Sequence, residues 1–274
     1  MKSTKALSDI QQEVRTFVGP AQLAKLHEQN AALDLLAVVL PVAAFLAILR
    51  WVSSPALGPV AQAALVVTQG WLMTIMALVN HDLFVHRRRF GGRAGWLISS
   101  VLFGLLTIRA TAYGVTHLRH HGKIGTEEDP ENYKQDINSR GRRLLFVTLP
   151  GVKLATSGRW STDGRRGYLR FKPPSEQIRR RLQAEGLVSA ALIAAFVAYG
   201  FFDFKAFLLG YLLPLLVVAP ALNSLRIIIE HAELDPENPY ALATSYETGL
   251  LSKVFFLADS GDCHLVHHVF PRIP

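Results

Sequence analysis

Four groups of histidine stand out in this chain of 274 residues, because their spacing suits the binding of metal. In the segment HLRHH, His117, His120 and His121 stand at positions i, i+3 and i+4, so a helix would present all three imidazoles on one face. The segment HLVHH repeats this spacing near the end of the chain. Only His27 lies outside the four groups. The other nine histidines are His81, His86, His117, His120, His121, His231, His264, His267 and His268.

Nine imidazoles are more than a single metal site needs. Neutral imidazole is the commonest metal ligand in proteins, and a zinc site takes three or four protein ligands. Nine rings are enough for two metals with four or five nitrogens each. The single cysteine, Cys263, excludes a thiolate cluster, and a haem would leave most of the rings unexplained. The pattern favours oxygen activation by a pair of iron ions, and ligand type alone leaves zinc and copper open.

Two of the histidine positions allow a second interpretation. His81 and His86 are five residues apart, which is not a face of an α-helix, so this pair is either a pair of ligands or a cap at a membrane boundary. His27 stands among Lys25, Glu28 and other polar residues, and we interpret it as a solvated side chain.

The composition indicates a membrane protein. Half of the residues are hydrophobic and 18% are charged, against roughly 25% charged in ordinary soluble proteins. The first thirty residues are polar, so we expect an N-terminal amphipathic arm over 1–32, with a helix broken near Gly19-Pro20, and no cleaved signal peptide. The rest, 33–274, is expected to form one membrane domain. Apolar runs predict spans at about 33–51, 60–80, 187–202 and 206–226.

The short apolar run at 95–108 predicts a helix that lies at the membrane interface or re-enters the membrane, because 14 residues are too few to cross it. A crossing here would also place the HLRHH histidines on the opposite side from His81. With an interfacial helix, all nine histidines fall on one face of the membrane. This face would be covered by a cap formed by 81–185 and 231–274.

The basic residues are concentrated in one polar stretch. Residues 119–181 hold 15 Lys and Arg against 7 Asp and Glu, an excess that equals the net charge of +8 of the whole chain. Positive charge near the ends of spans marks the cytoplasmic side. We therefore expect the metal site and both termini on that side, and we interpret the charge as topological, with no nucleic-acid partner.

The histidine segments also resemble a known family. HDLFVH, HLRHH and HLVHHVFPRIP are similar, in this order, to the three histidine boxes of the integral-membrane fatty acid desaturases, a superfamily that includes hydroxylases and carotenoid ketolases. The likeness spans roughly 35–274, with His231 as the additional ligand. It implies an all-α integral membrane protein with four transmembrane helices in two hairpins, and a cytoplasmic helical cap that holds a dinuclear site. It also implies that nine histidines bind two Fe ions.

The resemblance implies a lipid-modifying oxidoreductase. The expected activity is an O2-dependent desaturation of a fatty acyl chain, with electrons from a separate ferredoxin- or cytochrome-type protein and its reductase. The basic stretch 119–181 would suit an acidic donor or anionic headgroups. Hydroxylation or ketolation on the same scaffold stays open. A metal transporter is disfavoured, because the predicted spans contain almost no polar residues that could line a path.

Polar groups near the ligands are expected to accept the second ring N–H of the histidines and so orient them. Arg226, at the end of the last span, is interpreted as a snorkelling side chain. Some desaturases place an asparagine shortly before the additional histidine, in polar contact with the metal, whereas Asn223 stands eight residues, or two helical turns, before His231. The candidates are Asp82, Asp129, Glu230, Asp262 and Asn223.

Overall fold

The computed structural model describes residues 2–87, 90, 92–124, 126, 128–130, 139–148, 175–231, 243–244, 249 and 264–273. All regular structure in these ranges is helical. Three segments form π-helix: His81–His86, Leu208–Leu212 and Pro214–Val218. The α-helices are α1 (Lys2–Val18), α2 (Pro20–Leu26), α3 (Ala31–Trp51), α4 (Pro59–Asn80), α5 (Gly92–Leu105), α6 (Ala110–Lys123), α7 (Arg140–Thr148), α8 (Glu176–Phe202), α9 (Phe204–Phe207), α10 (Ala219–His231) and α11 (His264–Val269).

Four helical stretches are long and apolar enough to cross a membrane, which confirms the four expected from the sequence. They are longer than the apolar runs, because helical structure continues into polar sequence and, in the first stretch, because α2 precedes α3. The Ser175 hydroxyl, for example, accepts a hydrogen bond from Ile178 N at 3.3 Å, so α8 begins eleven residues before the apolar run at 187. The four stretches are Pro20–Trp51, Pro59–His86, Glu176–Phe202 and Phe204–His231.

The outer faces of these helices are apolar. Leu36 and Leu40 on α3 and Ile193 and Val197 on α8 are exposed. A water-soluble monomer rarely exposes large apolar side chains in such continuous patches. These faces therefore suit contact with lipid chains.

The core lies where α3, α4 and α5 meet the Leu208–Leu212 segment. Phe45, Met73 and Phe103 are almost completely buried there. The amide of Gln69, which is also buried, donates to Phe45 O at 3.0 Å and to Gly210 O at 2.9 Å. A backbone carbonyl inside a membrane has no water to donate a hydrogen bond to it. The Gln69 amide supplies these hydrogen bonds and links α4 to α3 and to the Leu208–Leu212 segment.

A sharp bend between α5 and α6 turns the HLRHH helix toward the other histidines. The axes of the two helices differ by 94°. The helix expected over 95–108 ends at Leu105. The chain then changes direction near Thr107, whose φ is +61°. This path brings α6 back to the end of α4. The two helices that carry the first two histidine segments are therefore neighbours.

The buried carboxylate of Glu185, on α8, fixes this bend. It accepts from Trp96 Nε1 on α5 at 2.9 Å, and from the backbone N of Thr111 at 3.0 Å and its hydroxyl at 2.5 Å. Thr111 lies in the first turn of α6, where free N–H groups and the helix dipole favour a negative charge. Glu185 thus caps α6 from another helix while holding α5.

The N-terminal arm packs against the last helix. The break predicted near Gly19-Pro20 is present, and Gly19 adopts φ +77°, which a residue without Cβ adopts at little cost. Ile10 of α1 packs on Ile124, Val269 and Phe270. Gln11 Nε2 also donates to Val269 O at 3.0 Å. The arm therefore holds the short helix α11 in place.

Candidate metal centre

A π-helical turn brings His81 and His86 together. The segment His81–His86 continues directly from α4, and Arg87 N bonds back to Asp82 O, five residues earlier. In a π-helix each turn contains about one residue more than in an α-helix, so residues five apart share a face. The two Nε2 atoms lie 3.1 Å apart. The expectation that residues five apart share no helical face holds for an α-helix and is wrong here, because this segment is a π-helix.

Five histidines form a first pocket, which we call the five-histidine pocket. Their ligand nitrogens all lie within 4.8 Å of one another. The Nε2 atom of His117 is 2.8 Å from His81 Nε2, 3.1 Å from His86 Nε2 and 2.9 Å from His121 Nε2. The members are His81, His86, His117, His121 and His267.

The remaining four histidines form a second pocket beside the first, the four-histidine pocket. The nitrogens of His120, His231 and His268 lie within 4.8 Å of one another. His264 Nε2 is 3.1 Å from the Nε2 atoms of both His231 and His268. The pockets are adjacent: the ring centroids of His121 and His268 are 4.3 Å apart. The structure thus brings together all nine histidines singled out in the sequence, while their binding of metal stays a prediction.

The pockets fit metal ions in distance and in donor type. Two nitrogens bound at right angles to one metal, with bonds of about 2.1 Å, are about 3.0 Å apart, against about 3.4 Å in a tetrahedron. The Nε2 atoms of His81, His86 and His117 form a triangle with sides of 2.8, 3.1 and 3.1 Å. The buried Nε2 of His267 has no hydrogen-bond partner among the described residues. Buried polar atoms are normally paired, so an unpaired nitrogen here is consistent with a metal ligand.

The histidines of α11 are held in the neutral form that binds metal. Burial lowers the pKa of His264, His267 and His268 well below 6.5, and the neighbouring imidazoles lower it further. A protonated imidazole would lose its hydration in this buried position, and two protonated imidazoles would repel each other. Electron pairs on nitrogen therefore stay available at neutral pH.

Two of the expected carboxylates meet the outer nitrogen of a ring. His81 Nδ1 is 2.5 Å from Asp82 Oδ1, and His120 Nδ1 is 2.7 Å from Asp129 Oδ1. A carboxylate that accepts the Nδ1–H fixes the tautomer with its lone pair on Nε2. Asp262 lies outside the described residues. Asn223 is half-buried on α10 and makes no hydrogen bond to a described histidine.

Glu230 and Arg226 form a buried pair on α10. Arg226 Nη1 donates to Glu230 Oε1 at 3.0 Å, and their side chains are only 14% and 1% exposed. Arg226 therefore does not snorkel to the surface; it neutralises a carboxylate inside the protein. The other oxygen, Glu230 Oε2, lies 3.8 Å from His264 Nε2.

Sequence reasoning missed the supports that place the histidines. Glu185 is the last residue of the stretch 81–185 that is predicted to form the polar cap. In the structure it is buried and accepts hydrogen bonds at the N-terminus of α6. Asp34 accepts from Arg87 at 3.2 Å and ties α3 to the end of the π-helical turn. Tyr113 stacks on His117 with an angle of 4° between the rings. The contacts of Glu185 and Asp34 join residues far apart in sequence, so no local pattern indicates them, whereas Tyr113 and His117 are four residues apart on α6.

Comparison with known proteins agrees with this architecture. The family described as "Fatty acid desaturase" matches residues 53–274. The chain belongs to the fatty acid desaturase family. The match includes all nine clustered histidines and three of the four membrane-length stretches, so the family likeness extends well beyond the histidine segments. A search of curated proteins gave no match. Membership makes this protein an oxidoreductase of lipid metabolism, with a histidine cluster able to bind metal.

Proposed function

We propose that this protein is a membrane-bound, O2-dependent desaturase that introduces a C=C bond into the alkyl chain of a lipid. Two Fe ions would be held by the nine histidines, five in the first pocket and four in the second. Iron bound there supplies the activation of dioxygen that an unactivated C–H bond requires. Family membership supports the reaction class, and the adjacency of two histidine pockets supports a dinuclear site.

The observation that carries the metal site is the spacing of the nitrogens. Contacts of 2.8 to 3.1 Å between Nε2 atoms are short enough for one metal ion to bind these imidazoles together. Iron held there by the imidazoles would supply the chemistry with dioxygen. Nitrogen-rich ligation of this kind suits iron.

The protein's own groups would orient and isolate the site. Asp82 and Asp129 hold the outer N–H groups of His81 and His120, which keeps each Nε2 lone pair directed into its pocket. Tyr113 stacks on His117 in the first pocket, and Leu83 and Val85, between His81 and His86 in the sequence, are buried. Excluding water protects reactive chemistry from side reactions.

The topology is part of this proposal. We infer that the four membrane-length stretches form two hairpins, and that both termini and the metal centre face the cytoplasm. Residues 1–32 would be an arm on the membrane surface, and 33–274 the catalytic domain. The support is the positive charge of 119–181 next to the span ends, although most of that stretch lies outside the described residues.

Electrons are proposed to come from a separate acidic protein of the ferredoxin or cytochrome type. The basic stretch 119–181 gives the surface a positive potential that would steer such a donor. We expect turnover with the donor to fall several-fold between about 50 and 200 mM salt, since exposed charges are screened over a Debye length. Turnover that does not respond to ionic strength would contradict this docking site.

The decisive test is expression in a host of known lipid composition, followed by mass spectrometry of the lipids. A desaturase gives products that have lost two hydrogens, whereas a hydroxylase adds one oxygen. His120→Ala is the matched inactive control, because it removes one ligand from the four-histidine pocket. An altered lipid profile that survives His120→Ala would contradict the metal-site proposal. Oxygenated products would favour the hydroxylase or ketolase alternative.

A further inference from the structure

Glu230 differs from the other carboxylates near the histidines in the side of the ring that it approaches. Asp82 and Asp129 contact Nδ1, the nitrogen that faces away from a pocket. Glu230 Oε2 instead lies 3.8 Å from His264 Nε2, the atom with which His264 meets His231 and His268. Its oxygen therefore lies on the side where the nitrogens of the four-histidine pocket converge.

The distances allow one metal ion to contact both groups. Two ligand atoms of one ion can be at most about 4.2 Å apart, twice a bond of about 2.1 Å. The distance of 3.8 Å from His264 Nε2 to Glu230 Oε2 is below that limit, and it corresponds to an N–metal–O angle of about 130°. Ligand atoms of Glu230, His231 and His264 all lie within 4.8 Å of one another.

Burial and charge also favour a ligand role. Glu230 is 1% exposed, and a buried carboxylate requires a cation or a metal. Arg226 Nη1 donates to one of its oxygens, Oε1, at 3.0 Å. The second oxygen faces the pocket. A divalent ion held by neutral imidazoles alone would bring two positive charges into a buried site, and an anionic ligand would offset part of this charge.

We propose that Glu230 is a direct ligand of the metal in the four-histidine pocket, which makes that pocket a nitrogen-and-carboxylate site while the five-histidine pocket binds through nitrogen alone. Arg226 is its positioning residue, because it holds Oε1 and thereby directs Oε2 toward the metal. This inference rests on the proposed dinuclear centre, and it assigns to one of its two metals a ligand of different charge.

The test compares Glu230→Gln with Asp82→Asn in the purified full-length protein, loaded with Fe(II) without oxygen. Glu230→Gln removes the charge at the same size, and Asp82→Asn makes the same change at an outer carboxylate. Iron per chain is measured by mass spectrometry after dialysis against a competing chelator. The infrared carboxylate bands are recorded before and after loading. Glu128→Gln, on the exposed surface, is the neutral control.

We expect the wild type, Asp82→Asn and Glu128→Gln to show a carboxylate band that shifts when iron binds, and Glu230→Gln to lack this shift. Glu230→Gln should also lose about half of its iron at a chelator concentration that leaves Glu128→Gln loaded. The wild-type infrared spectrum keeps the test valid if Glu230→Gln does not fold, because a wild type with no shifted band overturns the proposal. Wild-type iron content and spectrum in Glu230→Gln overturn it as well. A wild type that binds no iron would instead overturn the proposed function.

Discussion

The two pockets of the metal centre are built from the same residue type by different means. The five-histidine pocket contains two histidines from the π-helical turn His81–His86, two from α6 and one from α11. The four-histidine pocket contains one histidine from α6, one from α10 and two from α11, and it has a buried carboxylate, Glu230, at its edge. The helices α6 and α11 form walls of both pockets.

This difference indicates how a near-symmetric histidine pattern gives unequal sites. The two triads at i, i+3 and i+4 each supply both pockets, so neither triad is a site by itself. The asymmetry comes from the elements that meet them, a π-helical turn on one side and the end of α10 on the other. The predictions below test whether the pockets depend on each other and on their shared walls.

The largest expected effect is the loss of a histidine from either pocket. His81→Ala and His264→Ala should each lower product formation at least ~100-fold, because removing a ligand costs more than the 10–100-fold of an orienting residue. His27→Ala is the matched control, since His27 lies on the arm with its Nδ1 2.8 Å from Leu23 O and outside both pockets. Product yield in membranes checks this. Activity retained in only one of the two variants would show that one pocket suffices.

Low pH should destabilise the metal-free protein through the shared wall α11. His264, His267 and His268 have a pKa well below 6.5 in the folded protein. As the pH falls below about 6.5, the unfolded chain takes up protons that the folded chain does not, so the free energy of unfolding decreases by up to ~1.4 kcal/mol per pH unit for each group. Melting curves of chelator-treated protein between pH 8 and pH 5 measure this.

Bound metal should raise the stability but keep this pH dependence, because the coordinated imidazoles take up no protons while the unfolded chain still does. A metal-free protein that is equally stable at pH 8 and pH 5 would contradict the buried, neutral state of these three histidines.

The orienting carboxylates should matter unequally in the two pockets. Asp129→Asn and Asp82→Asn are each expected to weaken metal binding about 10–100-fold, with Asp129→Asn at the upper end. The reason is burial, because the side chain of Asp129 is 3% exposed and that of Asp82 is 36% exposed. Water can therefore partly replace the hydrogen bond that Asp82 accepts from His81. Chelator titration of each variant gives the comparison. Equal losses would show that exposure does not decide the effect.

The smallest effect should come from the bend between α5 and α6. Glu185→Gln replaces charge-assisted hydrogen bonds to Trp96 and Thr111, which is expected to cost about 1–3 kcal/mol of stability. Because α6 serves both pockets, metal affinity should fall by a similar factor in each. Glu176→Gln, on the exposed end of α8, is the matched control. A thermal melt with metal titration measures both quantities, and a loss confined to one pocket would contradict the shared wall.

Much of the site could be predicted from the sequence because its signals are local. The spacing in HLRHH and HLVHH requires only a helix to bring the rings to one face, and the apolar runs require only a membrane-length helix. Both are properties of neighbouring residues. The pair His81 and His86 could not be predicted in this way, because a π-helical turn, with its extra residue, cannot be recognised from the six residues HDLFVH.

The four apolar helices, the candidate histidines and the family can be predicted from the sequence, since hydropathy and histidine spacing are properties of neighbouring residues. The tertiary structure alone decided which histidine joins which pocket, that Glu230 Oε2 faces His264 Nε2, and that Glu185 caps α6 from α8. The physical reason is that each of these contacts joins separate helices. Their geometry depends on packing angles, such as the bend of 94°, that the local sequence does not specify.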